Sequence, residues 1–216
     1  MVEPYQTEEE QVQAIKDWWK ENGKAVIAGL LIGLGAIGGW RWWVDHQKTQ
    51  SEQASLIYAR VIDAVGRGEV KQATAAGQQI IEKYAGTPYA TLAALLLART
   101  AVDQGDDAAA AARLQWVINN GVDDGLRTLA RLRLARVRLE QGQPEAALSL
   151  LGKKAEPGFA SLFSELRGDA HRALNKPALA AAEYRKALLD GKLNGELRRQ
   201  IEMKLNEVAA AKGDGV

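Results

Sequence analysis

The chain has no cysteine among its 216 residues, so disulfide bonds and thiolate metal sites are excluded and either redox compartment stays open. Histidine is nearly absent as well. His46 and His171 are the only two, and without an H-E-x-x-H arrangement a metal site would have to be built from carboxylates alone. No G-x-S-x-G turn, no glycine-rich phosphate loop ending in Lys-Ser/Thr and no kinase signature occurs. A dominant charge is also lacking: 28 basic and 27 acidic side chains leave a net charge of +1, which offers no electrostatic footprint for nucleic acid and no acidic tail. The carboxylate pairs Asp106/Asp107 and Asp123/Asp124 fall at helix starts, where the positive end of the helix dipole accounts for them. The expectation is a protein that is not an enzyme, carries no cofactor or metal and binds no nucleic acid.

What the chain does have is one long apolar run, Ala25 to Val44, uncharged until Arg41. At ~1.5 Å rise per residue, about 20 helical residues reach ~30 Å, the thickness of a bilayer core. Trp18 and Trp19 precede the run and Trp40, Trp42 and Trp43 close it, so five of the six tryptophans stand where an aromatic belt would be. Gly29, Gly33, Gly35, Gly38 and Gly39 would make this a poor helix in water. It reads as one transmembrane helix in contact with membrane lipid, with Lys24 at one boundary and Arg41 snorkelling at the other. Gly33, Gly35 and Gly38 spell G-x-G-x-x-G, but no strand precedes them and Ser55 stands where a ribose-binding carboxylate belongs. The pairs Gly29/Gly33 and Gly35/Gly39 instead have the small-xxx-small spacing that lets a second membrane helix approach closely.

The segment before the run opens with Thr7-x-x-Glu10, a capping box that predicts a helix from Glu8 to Asn22. Val12, Ile15 and Trp19 share one face, which suits either a membrane surface or a solvated leader without a partner, and Gly23 is placed to cap the helix or act as a hinge. The acidic leader and the GGWRWW ending argue against a cleaved signal peptide. Lys16, Lys20 and Lys24 before the span nearly balance Arg41, Lys48 and Arg60 after it, so the charge count assigns no orientation.

From Ser51 onward the pattern is helical, rich in Ala, Leu and Arg, with no strand signal. Its turns repeat. Gly68, Gly105, Gly142 and Asn175 align at spacings of 37, 37 and 33 residues, and five positions later Ala73, Ala110, Ala147 and Ala180 form a second column. A Gly or Asn permits a left-handed turn and a small residue lets paired helices pack closely, which is the logic of a helical-hairpin repeat. In the last unit Gly168, Ala180, Tyr184 and Ala187 fall at the small, small, aromatic and small positions of a tetratricopeptide repeat, which the segment resembles. Ser164, His171 and Gly77 depart from that pattern, standing where larger or aromatic residues are usual. Thr87-Pro88 is expected to cap and open a helix from Tyr89 to Gln104, Asn119-Asn120-Gly121 to end the next, and Gly152 to Gly158 to form a surface loop. A closing helix is expected over roughly Gly195 to Ala211, with a fraying KGDGV end.

The expected fold is all-α: a transmembrane helix, then a tetratricopeptide-like α-solenoid of about four hairpins and a capping helix. Residues 1–23 form a leader, 24–44 the span and 45–216 the repeat domain. On the repeat alignment Tyr58, Ile62, Arg99, Asp103, Arg136, Glu140, Asp169 and Arg172 face a groove for extended or partner polypeptide segments. In the arginine-rich helix after Gly125, Arg127, Arg131 and Arg138 cluster on one side while Arg133 and Arg136 lie opposite. The groove reads as mixed in charge, without a uniformly basic clamp for an acidic tail.

Several segments in order, ENGKA (Glu21 to Ala25), GWRWW (Gly39 to Trp43), His46-Gln47, ASLIY (Ala54 to Tyr58), RLRLARVRL (Arg131 to Leu139) and LRGDA (Leu166 to Ala170), resemble the ancillary SecYEG translocon subunits, the YfgM family. That resemblance implies a bacterial inner-membrane protein anchored once, with its N-terminus in the cytoplasm and a tetratricopeptide-like domain in the periplasm. It implies association with the SecYEG translocon and with a membrane-anchored chaperone of the prolyl isomerase type. It further implies assistance to unfolded clients leaving the channel, and a link to envelope-stress signalling. An adaptor facing the cytoplasm and recruiting a soluble partner shares the same anchor and repeats, and is the alternative.

Overall fold

A computed structural model of the chain describes residues 8–152, 158–189 and 193–213. Among these residues it contains nine helices and no strand: α1 (Glu8–Gly66), α2 (Val70–Lys83), α3 (Pro88–Asp103), α4 (Asp107–Asn120), α5 (Asp124–Glu140), α6 (Pro144–Leu151), α7 (Ala160–Ala173), α8 (Pro177–Leu188) and α9 (Gly195–Gly213). The chain divides into two compact units, Met1–Thr49 and Gln50–Val216. The boundary falls inside α1, a few residues beyond the end of the apolar run.

In the first unit α1 does not stop at Asn22, and Gly23 is neither cap nor hinge. Nothing there breaks the helix: glycine costs only about 1 kcal/mol in a helix interior, and the Trp19 indole lies 3.2 Å from where a Gly23 Cβ would be. The Thr7 capping box lies outside the described residues.

The second unit is built from hairpins, the first formed by the end of α1 with α2, followed by α3/α4, α5/α6 and α7/α8. Each closes with the same local chemistry. Gly68, Gly105, Gly142 and Asn175 have φ of 73°, 73°, 70° and 55°. At every one of these turns the amide after the left-handed residue reaches back to the carbonyl five positions earlier. Glu69 donates to Ala64 at 2.9 Å, Asp106 to Ala101 at 2.8 Å, Gln143 to Arg138 at 2.8 Å and Lys176 to His171 at 2.9 Å. These bonds satisfy carbonyls the helix end would otherwise leave unpaired. The alanine column follows: Ala73, Ala110, Ala147 and Ala180 are all fully buried.

Helix starts are fixed by side chains close at hand. Asp106 and Asp123 accept the amides of Ala109 and Leu126 at 2.9 and 2.8 Å. Pro144 and Pro177 open α6 and α8, where a missing N–H costs nothing. Thr87 behaves differently from expectation: its hydroxyl donates to the Tyr84 carbonyl at 2.8 Å rather than capping α3, whose start is set by Pro88. Of the loop expected between Gly152 and Gly158, residues 153–157 lie outside the described residues, as do the last three of the KGDGV end.

At Gly77 the departure from the repeat pattern is compensated by volume. Where the second helix carries Gly77, Leu97 of α3 fills the space, its Cδ1 2.6 Å from a built Cβ. Where the second helix carries Tyr184, the first supplies Gly168, whose built Cβ would stand 2.4 Å from the tyrosine ring. Gly168→Ala therefore costs about 1–3 kcal/mol through overpacking, although the same exchange in an open helix gains up to about 1 kcal/mol. The sign of the shift in urea midpoint checks this, and a stabilised variant would contradict the packing.

Candidate functional site

Two hollows lie side by side over the first helices of successive hairpins. The first, about 300 Å³, lies between α3 and α5, with Ala98, Val102, Leu114 and Val137 giving it an apolar floor and Arg99, Arg133, Arg136 and Glu140 its polar rim. The second, about 400 Å³, continues from Arg136 and Glu140 towards Leu166, Asp169 and Arg172 of α7. The groove positions read from the sequence thus separate. Arg99, Arg136 and Glu140 meet in the first hollow, and Asp169 and Arg172 join Arg136 and Glu140 in the second. Tyr58, Ile62 and Asp103 line neither. Tyr58 instead packs on Tyr89, ring centroids 5.8 Å apart, and its partial burial raises its pKa. Ile62 is exposed, and Asp103 stands 3.9 Å from Arg99 one helical turn away.

Arg133 completes the first hollow. The helical wheel places it on the same side as Arg136. What the repeat alignment did not supply was that the α5 face meets Arg99 across the hollow. Burial, and then the Arg99 and Arg136 charges, lower the pKa of Arg133 from the usual arginine value. Three guanidiniums share this rim, and among the described residues neither Arg133 nor Arg136 has a carboxylate at ion-pair distance.

The far end of the groove is engaged by the closing helix. Lys204 of α9 donates to Glu165 and to Asp169, both at 2.7 Å. Asp169 also accepts the Tyr184 hydroxyl at 2.7 Å, and Arg172 pairs with Glu207 at 3.0 Å. Burial opposes the Lys204 ammonium, but its hydrogen bonds to Asp169 and Glu165 outweigh this and raise its pKa. Burial and the bond to Asp169 raise that of Tyr184. Both groups hold their protons more tightly folded than unfolded. Their stabilisation is therefore complete below the ordinary values of 10.0 for the phenol and 10.5 for the ammonium, and is lost as pH rises through the folded values. Urea midpoints flat up to about pH 9 and falling beyond about pH 10.5 are the expected result. A Lys204→Met variant should show a shallower alkaline decline.

In the first unit α1 is the one helix, among the described residues, long and apolar enough to cross a membrane. Trp18, Trp19, Trp40, Trp42 and Trp43 are exposed, as are Leu30, Leu31, Ile32, Leu34 and Ile37 between them. Lys24 and Arg41 are exposed as well. Trp42 stacks on His46, centroids 5.6 Å apart. A Cβ built at Gly29, Gly33, Gly35 or Gly39 meets nothing within 4 Å. Among the described residues no group of three or more His, Asp or Glu side chains is placed to hold a metal ion.

A family profile described as a tetratricopeptide repeat-like domain matches residues 16–210. The chain is 40% identical over 106 residues to a protein of Escherichia coli strain K12 named ancillary SecYEG translocon subunit, covering 48% of this chain and 49% of that one. A protein of the same name from Haemophilus influenzae is 40% identical over 98 residues, 45% of this chain and 47% of the relative. At this identity the chain spans about half the length of the curated relatives it matches. A third, from Neisseria gonorrhoeae, is 27% identical over 202 residues, 93% of this chain and 97% of the relative. No solved structure matches the chain. The relatives bear the name that the residue resemblance implied.

Proposed function

Because the chain belongs to the tetratricopeptide repeat-like family, we propose that it is a membrane-anchored accessory subunit of the SecYEG translocon, its repeat groove binding polypeptide segments near the channel. The observation that carries this reading is the presence, in one chain, of a helix apolar enough to span a membrane and a repeat unit with an open groove. Similarity to proteins named for the translocon supplies the channel as partner. In the finer reading the chain crosses the inner membrane once with its N-terminus cytoplasmic, and its repeat domain meets unfolded clients and a membrane-anchored prolyl-isomerase-type chaperone in the periplasm. A role in envelope-stress regulation belongs to the same reading.

Tethering is the physical mechanism. A groove held at a channel exit sees emerging chain at an effective concentration on the order of mM, so weak intrinsic affinity suffices. Topology is tested with protease added to spheroplasts: cleavage of the repeat domain supports the periplasmic orientation, and protection until lysis contradicts it. The glycine pairs of the span serve, on this proposal, as the surface that meets another membrane helix. Gly29→Leu with Gly33→Leu should leave the protein in the membrane and reduce its co-purification with the translocon severalfold, since bulky side chains keep the backbones apart. Undiminished co-purification would reduce the span to a plain anchor.

A further inference from the structure

We propose that the hollow between α3 and α5 receives an acidic side chain of an extended polypeptide, with the aliphatic neighbours of that residue seated on the hollow's floor. This deepens the groove reading above and rests on it. The charge complementarity is one-sided: Arg99, Arg133 and Arg136 converge on one rim, and Arg133 and Arg136 have no carboxylate at ion-pair distance among the described residues. The Arg133 guanidinium loses some hydration to burial and stands beside two like charges, Arg99 and Arg136, and a carboxylate arriving between them offsets both the burial and the repulsion. A carboxylate suits guanidiniums in particular, because a planar fork meets two oxygens at once.

The floor and the edges set the rest of the specificity. Val102, 40% exposed, presents aliphatic surface in the same hollow as the arginines, so the acidic residue is flanked by apolar ones. Asp103, 3.9 Å from Arg99, and Glu140 on the rim bound the positive patch. They leave room for a single carboxylate and disfavour a continuous acidic tract, which would meet both. The chain's net charge of +1 hides this patch, because the basic cluster is local.

The test uses the full chain in detergent and two blocked peptides, acetyl-Ser-Ala-Leu-Glu-Leu-Ala-Ser amide and its counterpart with Gln for Glu, titrated by calorimetry. The Glu peptide should bind at least about tenfold tighter than the Gln peptide, the worth of one charge-assisted hydrogen bond. Arg133→Gln and Arg136→Gln should each erase most of that difference between the two peptides, and the loss should exceed any change in the binding of the Gln peptide. Glu140→Gln should tighten the Glu peptide by removing a competing charge, and added salt should narrow the gap between the peptides. Equal affinities for the two peptides, no binding of either up to about mM concentration, or arginine variants that bind like the parent would each overturn the assignment. Photocrosslinking of translocating chains to the groove is independent of peptide acidity. Retained crosslinks with failed titrations remove this inference alone, whereas lost crosslinks remove the groove reading itself.

Discussion

Tyr184→Ala lowers the unfolding free energy of the repeat unit by about 3–5 kcal/mol, the range for deleting a fully buried aromatic side chain. Tyr184 is fully buried and is among the largest such side chains among the described residues. Its ring occupies the space that Gly168 leaves on the facing helix, and its hydroxyl donates to Asp169 at 2.7 Å. Truncation would open a cavity that neither α7 nor α9 can close without moving backbone. Tyr184→Phe separates the two contributions: it keeps the ring and loses only the hydrogen bond, about 1 kcal/mol. Urea unfolding of the full chain in detergent reads both, and Phe and Ala variants of equal stability would contradict the packing account.

Lys204→Ala costs about 3 kcal/mol, because it strands carboxylates that folding has taken out of water. Glu165 is 5% exposed and Asp169 partly buried, and Lys204 is bonded to both. The loss concentrates at the end of the array. Ile201 and Val208 of α9 form a core cluster with Ala180, Tyr184 and Ala187 of α8, so releasing the ammonium loosens the helix that covers the last hairpin. Terminal repeats need such a cover. Adding Glu165→Gln to Lys204→Ala should recover part of the stability by removing one uncompensated charge. Hydrogen exchange should show α8 and α9 opening before α3 to α5. A uniform loss of protection across all hairpins would argue against this local role.

Much of the architecture was legible because its signals are local. The left-handed turns at Gly68, Gly105, Gly142 and Asn175 follow from residue type, and the buried alanines follow from their fixed offset behind those turns. The apolar run is legible by length alone. Signals that depend on two distant segments were not. That Gly77 is filled by Leu97 requires knowing which neighbour faces it, and no repeat consensus states that. Arg133 could be assigned to a helix face but not to the hollow it shares with Arg99, since that depends on how α3 packs relative to α5. Asp169 and Arg172 could be assigned to a face of a first helix, but their bonds to Lys204 and Glu207 could not be read, because a capping helix has no repeat register to align. The continuation of α1 through Gly23 follows from the absence of any competing bond, which a glycine in sequence does not reveal.

The central claim is that the groove of an anchored repeat domain contacts polypeptide at the translocon. A photocrosslinking residue at Val102, on the floor of the first hollow and 40% exposed, tests it most directly when compared with one at Gln115, exposed on the second helix of the same hairpin. In membranes arrested during translocation, the account predicts crosslinks to the translocating chain from position 102 and none above background from position 115. Equal yields from the two positions, or silence at position 102 while the membrane span still crosslinks to the channel, would contradict it.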